Sequence, residues 1–93
     1  MNDAQILTIV KYKLGLTSDV RDDYLTHIIK AARGELKNSG IDPEGQTESY
    51  QLEYDMYLAE YAGWLYESRG GEAGIPRWLQ FRRHNLILGH QNV

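Results

Sequence analysis

Apolar positions recur along this chain at helical spacing in four stretches, each closed by a glycine or a turn. Ile6, Leu7, Val10 and Leu14 make one face of a first helix over residues 3 to 14. Asn2 with Gln5 three residues on forms a capping box, and Gly15 stops the helix where a left-handed residue is needed. A second helix is expected from Ser18 or Asp19, with Asp19, Asp22 and Asp23 at its positive end and Leu25, Ile28, Ile29, Ala32 and Leu36 on its apolar face. Asn38, Ser39 and Gly40 end it, and Ile41 stands where a hydrophobic contact follows a glycine cap. After the loop Asp42 to Gln46, Thr47 is the expected cap of a third helix that runs to Arg69.

That third helix organises the chain. Tyr50, Tyr54, Tyr57 and Tyr61 fall at i, i+4, i+7 and i+11, a single stripe flanked by Leu58, Trp64 and Leu65. The stripe is expected to form the core, with Tyr57 and Tyr61 buried and Tyr50 more exposed. A glycine hinge, Gly70 to Gly74, leads to Pro76, which opens a last helix reaching about Leu88, with Gly89 and the residues beyond it read as a frayed tail. No stretch alternates as a strand would. The expected fold is all-α: one small four-helix domain over residues 1–93, with a short N-terminal helix, two longer packed helices and a C-terminal helix after the hinge.

The last helix is apolar on two sides. Trp78, Phe81 and Leu88 project one way, while Leu79 and Leu86 project nearly the other, with Arg82 and Arg83 beside them. A small three-helix body cannot bury both faces, so one belongs to a partner. The docking segment is therefore placed at residues 75–93, and Arg77, Trp78, Phe81, Arg82, Arg83 and Leu86 are its expected contacts.

Charge sharpens this picture. The net charge is −3, but Asp42, Glu44, Glu48, Glu53, Asp55, Glu60, Glu67 and Glu72 face a single base, Arg69, in the middle of the chain. From Ile75 onward there is no acid, while Arg77, Arg82 and Arg83 are present. Opposite signs in separate segments suit contact between copies, or with a partner of opposite charge. Lys30, Arg33 and Lys37 line a further side of the second helix and are candidates for a subunit or channel contact.

Catalytic chemistry is not foreseen. A chain of 93 residues buries only about 60–65% of its unfolded surface, which leaves little room for a supported pocket. There is no cysteine for a disulfide or a thiolate metal site. His27, His84 and His90 lack ligand spacing, Asp22 and Asp23 point about 100° apart, and the glycine-rich run lacks the Lys-Ser/Thr of a phosphate loop. The reading is therefore non-enzymatic, with no cofactor and no metal. No apolar run approaches the ~18 residues of a membrane span and no signal peptide is recognised, so an intracellular, membrane-free protein is expected. The alternative reading is a helix-turn-helix-like DNA-binding regulator. It would use Lys30, Arg33 and Lys37 on phosphates, and the aspartates opening the same helix oppose it.

The order of elements resembles a known family. A first helix ending Lys13-Leu14-Gly15-Leu16 is followed by the pattern D-D-x-L-x-x-x-I-x-x-A at Asp22, Asp23, Leu25, Ile29 and Ala32. Next come a helix rich in tyrosine, alanine and leucine, a glycine loop, and Arg82-Arg83-His84-Asn85-Leu86. This is similar to the small head–tail connector (adaptor) proteins of long-tailed bacteriophages. The resemblance implies a structural role in the virion neck after assembly in the host bacterial cytoplasm. The implied partners are the portal protein, neighbouring copies in a ring that is dodecameric in the virion while the chain alone is a monomer, and a neck or tail completion protein. DNA would pass through without being read. The Asp42 to Gln46 loop carries no basic residue, so no channel role falls to it.

Overall fold

The computed structural model describes residues 2–68 and 74–91. They form α1 (Asp3–Leu14), α2 (Asp22–Asn38), α3 (Glu48–Ser68) and α4 (Arg77–Gln91), with no strand among the described residues. The all-α expectation holds. Residues 70–73 of the expected glycine hinge lie outside the described residues, as do residues 92–93 of the docking segment.

Local chemistry accounts for most helix ends. The Asn2 side chain accepts from the Gln5 N–H at 2.9 Å, and the Asn2 N–H donates back to the Gln5 side chain at 3.0 Å. Gly40 takes φ 86°; its N–H donates to Lys37 and that of Ile41 to Leu36, which seats Ile41 fully in the core. Thr47 Oγ1 accepts the Tyr50 N–H at 3.1 Å and so caps α3.

Two ends differ from expectation. Helix α2 begins at Asp22, later than the Ser18 or Asp19 start. The Ser18 hydroxyl is used locally, accepting the Val20 N–H, and the Asp19 carbonyl accepts from Asp22 in a turn. Asp19 itself pairs with Lys11 at 3.1 Å rather than capping α2. Helix α4 continues through Gly89 to Gln91 instead of fraying. Glycine suits a close approach there: a Cβ at position 89 would lie 3.2 Å from the Tyr50 ring, which would have to give by a few tenths of an ångström.

Helices α1, α2 and α3 pack on one another, whereas α4 packs on α3 and reaches α2 through the Arg83 side chain. Helix α3 is buried over most of its circumference. Tyr50, Tyr54, Tyr57 and Tyr61 all sit in the core, joined by Leu58, Ala59, Ala62 and Tyr66. Ile6 and Val10 of α1, and Leu25, Ile29, Ala32 and Leu36 of α2, close on them. Tyr50 is only 7% exposed, against the expectation for it, because α4 returns over the start of α3. The buried rings predict a large truncation cost. Tyr57→Ala should lower unfolding free energy by about 3–5 kcal/mol in urea titration, whereas Tyr12→Ala, at an exposed position, should stay within about 0.5 kcal/mol.

Candidate functional site

The two-faced helix resolves into an inner face, a polar flank and an outer face. Leu79 and Leu86 turn inward and are fully buried. Leu86 also accepts, through its carbonyl, the Tyr50 hydroxyl at 2.9 Å. It is therefore a core residue, and its place among the docking contacts is corrected.

The flank joins α4 to the rest of the fold. Arg83 Nε donates to the Tyr57 hydroxyl at 2.7 Å, and another of its nitrogens reaches Glu35 of α2 at 3.1 Å. Its guanidinium lies 4.8 Å from the centre of the Tyr61 ring, and the Tyr61 hydroxyl donates to Glu35 at 2.7 Å. Tyr57 and Tyr61 stack at 5.8 Å, and Tyr61 stacks in turn on Trp64. Arg82 pairs with Glu60. Both arginines thus have partners within the subunit, and the expectation that they dock a second protein is corrected for Arg83. Its side chain is only 19% exposed and already engaged.

What remains outward is Arg77 with Trp78, Phe81 and Leu88. Trp78 is 48% exposed and Phe81 65%, and a shallow groove runs between these two rings and the stems of Arg77 and Arg82. Large aromatics on a surface, rimmed by arginine, are the composition of an interface core. Leu52 and Met56, an i, i+4 pair on the side of α3 away from the tyrosine stripe, are exposed too.

The basic row on α2 is divided. Arg33 Nε donates to Asp3 at 2.7 Å and the guanidinium lies over the Tyr54 ring, so it ties α1 to α2 and α3. Lys30 and Lys37 are exposed. Glu35, the hub under Arg83 and Tyr61, carried no sequence signal, since its partners lie 26 and 48 residues away.

Burial raises the pKa of Tyr50, Tyr54, Tyr57 and Tyr61 above the ordinary 10.0. The bond from Arg83 opposes the shift on Tyr57, and the Glu35 carboxylate adds to it on Tyr61. No group of three or more histidines and carboxylates that could hold a metal occurs among the described residues, and no described helix is long and apolar enough to cross a membrane. No protein-family model, curated protein or solved structure matches this chain.

Two expectations follow. A tyrosine whose folded pKa is raised stabilises fully below its unfolded value and loses that contribution as pH climbs through the folded one. Unfolding midpoints should therefore be unaffected by these tyrosines up to about pH 10 and fall above it, with tyrosinate absorbance rising alongside the loss of helix. Arg83→Ala should cost about 1.5–3 kcal/mol by leaving the Tyr57 hydroxyl without its donor and Glu35 without its cation, while Arg77→Ala stays within about 0.5 kcal/mol in the same denaturation assay.

Proposed function

We propose that this chain is a structural, non-enzymatic connector of a phage or prophage particle. It joins a ring beneath the portal, extends the channel through which DNA passes unread, and presents a surface to the next neck or tail component. The observation that carries this reading is the outer face of α4, where Trp78 and Phe81 are held out in water beside Arg77 on a helix whose other side is fully engaged. The order of sequence motifs, similar to that of head–tail connectors, supplies the identity of the assembly. The body suits the role: α1, α2 and α3 pack on one another, and α4 adds Leu79 and Leu86 to their core while offering its outer side as a surface.

In this reading affinity comes from the aromatic anchors and orientation from the arginine charge. A single small patch falls short of the entropy cost of association, so the chain joins its ring on the portal, where several contacts form together.

The test separates docking from folding because the residues changed are exposed. A particle-forming strain carrying Phe81→Glu with Arg77→Glu should make the protein at normal level and melting temperature yet leave it out of the particles. Filled heads should then leak DNA or remain tailless. Normal incorporation and infectivity of that variant would overturn the docking face, and particles lacking the wild-type chain would overturn the connector reading.

A further inference from the structure

The four helices are not held to the same degree. Helices α1, α2 and α3 each pack on the other two, around Ile6, Val10, Leu25, Ile29, Leu36 and Leu58. Helix α4 packs on α3 and touches α2 through Arg83. Among the described residues its share of the buried core is Leu79 and Leu86, with Ile87 part-buried beside them. Its other attachments are polar: the Tyr50 hydroxyl on the Leu86 carbonyl, Arg83 on Tyr57 and Glu35, and Arg82 on Glu60. Truncating Arg83 would strand its buried partners, but undocking the whole helix hydrates every one of these groups. The polar contacts therefore resist opening by much less than their number suggests.

The same helix has little stability of its own. It is 15 residues long, at the limit for an isolated helix in water. Its first turn holds Arg77 and no acid, which sets a positive charge at the positive end of the dipole. Helix α1 is the contrast. It too has just Ile6 and Val10 fully buried, but it carries a capping box, Asp3 in its first turn and Lys11 and Lys13 in its last. It also lies against two helices rather than one.

We propose that α4 is a latch: it undocks from α3 and unwinds as one unit while α1, α2 and α3 stay folded. The open form wets Tyr50 and Tyr57. It also dissolves the groove between Trp78 and Phe81, which exists only while α4 is helical. Opening is thus the off state of the outer face. A partner seated on Trp78 and Phe81 binds the closed form alone, so it holds the latch shut, and the open fraction weakens its apparent affinity in proportion. The inference rests on how α4 packs and is independent of the phage assignment.

Amide hydrogen exchange of the full chain, read by NMR at a series of low urea concentrations, tests this. Amides of α4 should be roughly tenfold or more less protected than the slowest amides of α2 and α3. Their exchange should also depend less steeply on urea, because the opening exposes less surface than global unfolding. Ile6→Val in α1 and Ile29→Val in α2 each remove a methyl from the core beneath the latch. Each should speed exchange of the slowest α2 and α3 amides by roughly threefold to tenfold and leave that of α4 unchanged. Both changes are mild enough for the chain to stay folded. Protection in α4 equal to that in α2 and α3, with the same urea dependence, would overturn the proposal. So would an Ile29→Val chain whose α4 amides speed up in step with the rest.

Discussion

A row of buried tyrosines sets a condition on everything packed around it. Burying four rings on one side of α3 supplies much of the apolar area of a small core, but each hydroxyl left without a partner would cost more than its ring's last few contacts return. The neighbours meet this condition from different directions. The Leu86 carbonyl takes the hydroxyl of Tyr50, Glu35 takes that of Tyr61, and Arg83 donates to Tyr57. Helices α2 and α4 are thereby held at distances that suit hydrogen bonds as well as rings. The polar edge of the core gives α4 one rotational setting about its axis, and that setting decides which of its two apolar faces is left in water.

The sequence made the helices legible because caps are local. Asn2 with Gln5, Thr47, and Gly40 with Ile41 each act within a few residues, and each is found acting as its type implies. The late start of α2 was hidden by the same kind of chemistry: Ser18 and Asp19 are good cap types, and only the turn geometry reveals that they serve a turn and Lys11 instead. The candidate site was half legible. That α4 is apolar on two sides follows from spacing, but the inward choice of Leu79 and Leu86 depends on α3. The internal use of Arg82 and Arg83 depends on Glu60, Tyr57 and Glu35, which are 22 to 48 residues distant in sequence. No local pattern encodes pairs at that separation. The burial of Tyr50 is hidden from the sequence for the same reason, since its cover comes from α4, 36 residues on at Leu86.

The surface divides in a way that follows from this core. Charges near the tyrosine edge are committed to holding helices together: Arg33 with Asp3, Arg82 with Glu60, Arg83 with Glu35. Charges farther out, such as Arg77, Glu67, Lys30 and Lys37, are exposed and can serve recognition or solubility without touching stability. Substitutions on the outer face can therefore alter what the molecule meets while leaving how it folds unchanged.

Helix α4 packs mainly on α3 and, following it in the chain, is made last of the four. While the ribosome is still adding these residues, α1, α2 and α3 can already close on one another, with the Tyr50 side of α3 wetted by solvent. Water hydrogen-bonds the waiting hydroxyls, so the nascent three-helix body is tolerable but incomplete. The arrival of Leu79, Arg83 and Leu86 then dries that surface in one step and turns Trp78 and Phe81 outward in the same movement. The recognition surface thus comes into being only once the polypeptide beneath it has finished folding, and a stalled or truncated translation product would display tyrosines where the complete one displays tryptophan.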